Sequence, residues 1–175
     1  MSKIKWTLLI APIAALIVVM MWRDEAPALT DPTTAIEELE NRFAAAVQAK
    51  DLDGIMANYT NSDNLVVFDV MPPRQYTGWQ AYKDDWKNAL AGCKDAPKVE
   101  ISELEIVGDT RYAYSHCIQH FTCTDPQGKK SDLILRVTDG YANFRGKWLI
   151  AHEHISVPVD LATGKADLQS KSPSE

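Results

Sequence analysis

Residues 136–156 read RVTDGYANFRGKWLIAHEHIS. Two runs rich in β-branched and aromatic residues flank the pair Arg145 and Gly146. A two-residue turn at that pair would join the runs as adjacent antiparallel strands. The second strand would carry Glu153 between two histidines, at positions where apolar side chains could be buried at a lower cost. The sequence therefore predicts a β-hairpin whose ionisable groups need an explanation.

Further strand-like runs precede this hairpin, and turn residues separate them. Residues 98–108 and 110–124, together with the two strands of the hairpin, predict a four-stranded antiparallel meander. The shorter run NLVVFDV, residues 64–70, predicts one earlier strand that ends at the breaker MPP. The C-terminal half of the chain is therefore expected to be an antiparallel sheet.

Three helices are predicted before the meander. Asp31 followed by Pro32 is a typical helix start, and residues up to Lys50 repeat apolar side chains at three- and four-residue spacing. Residues 51–60 predict a second, shorter helix, and residues 78–92 predict a third. We interpret the apolar stripe of the third helix first as core-facing: Trp79, Tyr82, Trp86 and Leu90. Helices followed by antiparallel strands predict an α+β architecture with the helices on one face of the sheet.

The N-terminal segment has a membrane-directed composition. Lys3 and Lys5 precede WTLLIAPIAALIVVMMW, residues 6–22, which contains no charged residue. At about 1.5 Å per residue this run reaches about 25 Å, enough for a marginal span with the tryptophans as interfacial anchors. We expect residues 1–22 to be an uncleaved, single-pass membrane-anchor helix that leaves the domain on the extracytoplasmic, periplasmic side. A cleaved signal peptide and a secreted domain is the alternative.

The remaining chain has room for one domain. Residues 23–31 are a polar linker, residues 32–158 the α+β domain, and residues 159–175 a polar tail. With 46% hydrophobic residues in 175, the chain can bury one core. A net charge of −6 without clustered basic residues argues against a nucleic-acid partner.

The three cysteines leave at least one thiol unpaired. Cys117 and Cys123 would lie about 20 Å apart on one extended strand, so they cannot bridge each other. Cys93 could pair with either of them. Three unpaired and at least partly buried thiols are the favoured interpretation.

The predicted register gathers ionisable and aromatic side chains on one face of the sheet. The pairs that follow from the turns at RG and DPQG are Phe144 with Lys147, Asp139 with His152, Val137 with His154, and Tyr114 with Asp139. The shared face then contains Tyr112, Tyr114, His116, His120, Asp139, Tyr141, Trp148, His152 and His154. A single bulge would exchange the faces and bring Arg136 and Glu153 into the pocket instead. Arg136 and Glu153 could equally form a structural diagonal pair.

A metal site is an alternative explanation for the histidines. His152 and His154 would point the same way about 6.6 Å apart. The strand with Asp139 lies between the two histidine strands, however, so His116 and His152 would be about 9.6 Å apart, too far to share a tetrahedral ion. We therefore expect no metal and no other cofactor. The histidines of the last strand would orient a ligand, tether Asp139, or simply be hydrogen-bonded pocket or surface groups.

The order and spacing of these segments resemble the SnoaL-like and ketosteroid isomerase-like group of the nuclear transport factor 2-like superfamily. The resemblance covers about residues 33–158 and is carried by KDLDGIMANY, by VVFDV and YTGWQAYKDDW, by RVTDGYANFRGKW and by the terminal HEHIS. It implies a cone-shaped α+β fold in which three N-terminal helices and a curved antiparallel sheet enclose a pocket. It also implies a homodimer that pairs through the exposed sheet face.

The resemblance further implies a role for one carboxylate. The family's general-base Asp follows the first strand, and Asp69 in VVFDV matches it; an apolar surrounding would raise its pKa toward a useful value. The same carboxylate could instead cap the turn before Met71. The family's oxyanion-binding Tyr is replaced by Phe43, and its acid position falls near Thr138 or Asp139. One missing donor typically lowers the rate by about 10² to 10³, so steroid isomerase activity is not expected.

Two functional hypotheses remain open. The favoured one is a binding module that holds a small, largely apolar molecule in the pocket without chemistry. The alternative is an enzyme of the ketosteroid isomerase-like type, that is, an isomerase, cyclase, hydratase or hydrolase that transfers protons. The candidate catalytic residues are Asp69, Asp139 and His154. The candidate ligand-binding residues are Trp79, Tyr82, Tyr114, His116, Arg136, Trp148 and His152, and His116 is also a candidate proton donor.

Overall fold

The computed structural model describes residues 31–172. The predicted anchor at residues 1–22 and almost all of the linker lie outside these residues. In the described part of the chain, no helix combines the length and the apolar composition needed to traverse a lipid bilayer.

Three helices precede the four-stranded meander: α1 spans Thr33–Gln48, α2 spans Leu52–Met56, and α3 spans Trp79–Gly92. The Asp31 carboxylate accepts a hydrogen bond from the Thr33 backbone N–H at 3.0 Å and so satisfies a free donor of the first turn of α1. The apolar stripe of α1 is buried, as its spacing predicts, at Ile36, Leu39, Phe43 and Val47. On α3, Tyr82 and Leu90 are buried, and Trp79 and Trp86 are half-buried against the same core.

Six strands form one curved layer beside these helices. Their ranges are β1 Val66–Phe68, β2 Tyr76–Thr77, β3 Lys98–Gly108, β4 Tyr112–Thr124, β5 Lys130–Phe144 and β6 Lys147–Ser156. The order in the sheet is β2-β1-β6-β5-β4-β3. β1 runs parallel to β6, and the other neighbours are antiparallel. The hydrophobic core lies between the helices and one face of the sheet, which confirms the α+β architecture and the four-stranded meander.

The polar tail predicted from residue 159 onward is folded as far as the described residues extend. β7 (Val159–Asp160) and β8 (Lys165–Ala166) form a small hairpin. The chain then returns to β5, where the Ile134 backbone N–H donates a hydrogen bond to the Leu168 carbonyl oxygen at 2.9 Å. This segment is therefore part of the domain surface.

The pairing of β5 with β6 departs from the predicted register beyond the turn. Phe144 pairs with Lys147 as expected, and the ladder stays regular up to Tyr141 and Ile150. Gly140 then pairs with His152, which leaves Ala151 as an extra residue in β6 and defines a β-bulge. Beyond it, the observed pairs are Asp139 with Glu153 and Thr138 with His154, so the predicted pairs of Asp139 with His152 and of Val137 with His154 are wrong.

The β4–β5 loop is one residue longer than expected. The Asp125 N–H donates to the Lys129 carbonyl oxygen at 2.9 Å, and Asp139 consequently pairs with Ser115 rather than with Tyr114. The predicted common face is therefore wrong for Tyr112, Tyr114, His116, His120, His152 and His154, which lie on the outer face, but correct for Asp139, Tyr141 and Trp148, which are buried under the helices.

A disulfide bond joins the end of α3 to β4. It links Cys93 with Cys123, and Cys117 is free and buried. The favoured interpretation of three unpaired thiols is wrong, because α3 ends directly over β4. The adjacent Lys94 N–H donates to the Thr124 carbonyl oxygen at 2.7 Å, and the Lys50 ammonium group donates to the Cys93 carbonyl oxygen. The C-terminal end of α3 is therefore fixed on the sheet.

Candidate functional site

A cavity of about 330 Å³ lies between α1, α3 and the inner face of the sheet. Much of its wall is apolar, and the apolar side chains include Phe43, Trp86, Phe121, Leu133, Leu135 and Ile155. Its polar groups are Asp69, Asp85, Gln119 and Glu153. Pockets of about 300–1,000 Å³ with an apolar wall and a few converging polar groups are typical of small-molecule sites. The cavity therefore has the size and composition of such a site.

Two tyrosines from the helical layer form hydrogen bonds with the carboxyl group of Glu153, which lines the cavity. The Tyr59 hydroxyl donates to Oε1 at 3.0 Å, and the Tyr82 hydroxyl donates to Oε2 at 2.5 Å. All three side chains are buried. Burial raises the pKa of Glu153 to about 8, although the two tyrosine hydrogen bonds act to lower it. Glu153 is therefore mostly protonated at pH 7 and changes charge close to neutral pH.

Asp69 follows β1 and lines the same cavity. Its Oδ1 accepts a hydrogen bond from the Met71 backbone N–H at 2.9 Å, so the carboxylate also caps the turn, as the alternative interpretation expects. Desolvation raises the pKa of Asp69 and the nearby charge of Asp85 adds to the rise, whereas the backbone hydrogen bond lowers it. Asp85 itself, on α3, accepts a hydrogen bond from the Tyr76 hydroxyl at 2.6 Å.

A second group of acids lies behind Glu153. Asp139 is paired with Glu153 across β5 and β6, and Glu40 reaches the same region from α1. The Tyr141 hydroxyl donates to Glu40 Oε1 at 2.7 Å and lies 2.7 Å from the Ser115 hydroxyl. Desolvation raises the pKa of Glu40 to about 7 and raises that of Asp139 well above its usual value. The Oδ1 atom of Asp139 is buried without a hydrogen-bond partner.

Several of the predicted ligand-binding and catalytic residues lie away from the cavity. Tyr114, His116, Arg136, His152 and His154 are on the outer face, because the bulge and the longer loop set the register. His152 Nδ1 lies 2.7 Å from the Val66 carbonyl oxygen, and the Phe68 ring packs edge-on against both His152 and His154. These five side chains therefore lie on the outer surface of the sheet and do not line the cavity, contrary to the prediction.

The remaining predicted residues lie on the helical side of the sheet in different roles. The Trp79 indole N–H donates to the Met56 carbonyl oxygen at 3.1 Å, and Trp148 is buried in the core, so neither lines the cavity. Tyr82 holds Glu153, and Asp139 lies behind it. Within residues 31–172 no group of three or more His, Cys, Asp or Glu side chains is arranged to hold a metal ion.

Three important side chains were not among the predicted site residues: Glu40, Tyr59 and Glu153. Glu40 had a usable signal, since it lies four residues after Ile36 on the apolar stripe of α1. From the sequence, Glu153 was expected in the pocket only if a bulge exchanged the two faces of the strand. Tyr59 follows the short helix α2 and carries no distinguishing pattern in the sequence.

Comparison with known structures agrees with this architecture. An NTF2-like protein of unknown function from Pseudomonas putida KT2440 has 29% sequence identity and a TM-score of 0.69, covering 81% of this chain and 99% of that chain. A nuclear transport factor 2-like superfamily protein from Salmonella enterica serovar Typhimurium has 17% identity and a TM-score of 0.67, covering 78% and 100%. A candidate scytalone dehydratase from Novosphingobium aromaticivorans has 14% identity and a TM-score of 0.66, covering 80% and 94%. The last two identities show a shared fold alone.

The helices, the curved sheet and the cavity between them define a nuclear transport factor 2-like domain. The pattern of the SnoaL-like domain matches residues 36–160, and the chain belongs to the SnoaL-like domain family. Among curated protein sequences, none matches the chain.

Proposed function

We propose that the domain binds a small, largely apolar molecule in the cavity beneath α3. The observation that carries this proposal is the cavity of about 330 Å³, whose wall is mostly apolar and includes a few polar groups. Such a wall stabilises a bound molecule by burying its apolar surface, at roughly 25 cal/mol per Å². The polar groups then fix its orientation.

Calorimetric titration of the full chain with 2-phenylethanol tests the binding proposal. We expect the wild-type protein to bind it and the Leu135→Trp variant to bind it at least about tenfold more weakly, because a larger side chain fills the cavity. Ile134→Trp is the matched control, since Ile134 is next in sequence but lies outside the cavity. No binding by the wild type, or equal binding by the Leu135→Trp variant, would contradict the proposal.

Proton transfer is the second candidate function. Asp69 and Glu153 line one cavity, and burial raises the pKa of both, so one group can accept a proton while the other donates. Phe43 lines the wall at the position where the resemblance expects a hydroxyl donor. The carboxyl group of Glu153, with its two tyrosines, is the hydrogen-bonding group that the cavity offers in place of that donor.

Deuterium exchange at the carbon next to the carbonyl of cyclohexanone, followed by NMR in D₂O, tests this second function. We expect the wild-type protein to accelerate the exchange and Asp69→Asn to lower the enzymatic rate by about 10² or more, a typical contribution of a general base. Asp84→Asn on the exposed side of α3 is the control and should leave the rate unchanged. Equal rates for the wild-type and Asp69→Asn proteins would exclude Asp69 as the base.

We further propose that the domain is membrane-anchored on the extracytoplasmic side and forms a homodimer. The apolar run at residues 6–22 and the Cys93–Cys123 disulfide support an oxidising location. Exposed Val107, Tyr112 and Tyr114 at one end of the outer sheet face support pairing there. Membrane fractionation of the full chain tests the anchoring, and sedimentation equilibrium of the full chain tests the homodimer.

A further inference from the structure

The ionisable side chains of the cavity wall are all acids. Asp69, Asp85 and Glu153 line it, and no Lys, Arg or His side chain among residues 31–172 does so. Within the same residues, lysine and histidine form ion pairs at the surface with Asp53, Glu100, Glu105 and Asp132, and none of these pairs involves the three acids of the cavity. A ligand that enters this space therefore meets carboxyl groups and no competing cation.

The acids behind Glu153 extend this group of carboxyl side chains inward. Asp139 is only 1% exposed, faces Glu40 and Glu153, and its Oδ1 atom has no hydrogen-bond partner. A buried acceptor without a donor is destabilising, which makes it an unusual feature of a purely structural core. Within the buried carboxyl cluster, Asp139 Oδ1 is thus an oxygen that no hydrogen-bond donor of the described residues reaches.

Aromatic side chains lie next to the carboxyl groups. Phe43, Trp86 and Phe121 line the cavity, and the rings of Phe43 and Trp86 meet edge to face with centroids 5.6 Å apart. The faces of aromatic rings attract cations, most strongly where water is excluded. The wall thus combines two kinds of group that stabilise an organic cation, while its aliphatic part stabilises an apolar body.

We infer that the ligand of this cavity is an organic cation, an apolar ring or chain that carries an ammonium group, with the ammonium group bound at Glu153 and the apolar body among the aromatic side chains. This inference rests on the proposed binding function and specifies its ligand class. The ammonium group supplies hydrogen-bond donors and positive charge to a wall that has three carboxyl groups and, among the described residues, no basic side chain.

The affinity for an organic cation is expected to depend on pH. The titratable groups that face Glu153 are Glu40 on α1, Tyr59 after α2, Asp69 after β1, Tyr82 and Asp85 on α3, Cys117 on β4, and Asp139 and Tyr141 on β5. An ammonium ligand prefers ionised Glu153, whose pKa is raised to about 8, so binding displaces a proton. Affinity for the cation therefore rises up to about tenfold per pH unit between pH 6 and 8, whereas a neutral ligand gains nothing.

Isothermal titration of the full chain with three matched probes tests this inference: 2-phenylethylamine, 2-phenylethanol and phenylacetate. At pH 8.5 an alkylammonium group with a pKa of about 10 is still charged. At this pH we expect the amine to bind at least about tenfold more tightly than the alcohol, and phenylacetate to bind most weakly. At pH 7, where Glu153 is mostly protonated, amine binding should release protons, measured in buffers of different ionisation enthalpy.

The outcomes separate this inference from the binding proposal. If the alcohol or the acid binds as tightly as the amine, the cation inference is overturned while the binding proposal stands. If none of the three probes binds, both fail. Glu153→Gln should remove the preference for the amine but retain alcohol binding, and the exposed control Glu105→Gln should change neither. If Glu153→Gln does not fold, Asp85→Asn should reduce the preference, and an unchanged preference there would contradict the inference.

Discussion

The free energy of unfolding is expected to fall as the pH is raised from about 5 to about 8. The cause is the buried carboxyl cluster, in which burial raises the pKa of Glu40 to about 7 and of Glu153 to about 8, and also raises that of Asp139. In the unfolded chain these groups return to ordinary values, near 4.5 for glutamate. Between the two values the folded state binds more protons than the unfolded state, so stability decreases with rising pH.

The size of this effect follows from the number of protons. Each proton retained only by the folded state contributes a slope of about 1.4 kcal/mol per pH unit, so a loss of at least about 3 kcal/mol is expected between pH 5 and 8. The contribution of this cluster to the free energy of unfolding is fully present below about pH 4.5. It is lost as the pH rises to the folded-state pKa values near 7 and 8. Exposed carboxyls with lowered pKa values, such as Asp109 and Asp160, act in the opposite direction but only below about pH 4.

Urea denaturation followed by tryptophan fluorescence at several pH values measures this dependence. Glu153→Gln keeps the shape of the protonated acid but cannot ionise, so its slope should be smaller by up to about 1.4 kcal/mol per pH unit. Glu105→Gln is the control, because Glu105 is exposed and should leave the slope unchanged. A stability that stays constant or increases from pH 5 to 8 would show that the cluster does not retain protons in the folded state.

Removal of the Cys93–Cys123 cross-link is expected to lower the free energy of unfolding by about 3–4 kcal/mol. The bond closes a loop with a sequence separation of 30 residues, and it restricts the unfolded chain more than the folded one. The double variant Cys93→Ala/Cys123→Ala should therefore unfold at a markedly lower urea concentration than the wild type. The same measurement on the wild type in a dithiol reductant should give a similar shift.

The reductant also supplies the control for this prediction. It should have no further effect on the double variant, because the remaining Cys117 is unpaired and buried. A loss of less than about 1 kcal/mol, or an equal effect of reductant on both proteins, would mean that the bond does not contribute to stability as the loop-closure argument requires.

The sequence was informative wherever a local pattern determined the structure. The Arg145–Gly146 turn set the first pairs of the β5–β6 ladder, and the spacing of apolar residues in α1 gave its buried face. The sequence did not reveal the bulge at Ala151 or the five-residue loop after β4. Each adds one residue, and because side chains alternate along a strand, one residue exchanges inner and outer faces.

The site was predictable only in part for the same reason. Asp69 follows a strand and lines the cavity, as expected from the family resemblance. The bulge decides which face of the sheet Glu153 and its neighbours on β6 occupy. Because the bulge was not predicted, His152 and His154 were expected on the wrong face. The bonds from Tyr59 and Tyr82 to Glu153 join residues 94 and 71 positions apart, a distance at which no pattern in a single sequence indicates contact.

The folded C-terminal segment has a consequence for solubility. β6 pairs with β5 only as far as Arg136, so the first residues of β5 would present a bare strand edge on that side. Leu168 and Gln169 occupy it, through bonds to the Ile134 N–H and to the Asp132 carbonyl oxygen. Bare edges recruit strands of other molecules and begin aggregation. Leu168 and Gln169 therefore protect this edge from pairing with strands of other molecules, and we expect chains shortened after residue 158 to precipitate more readily.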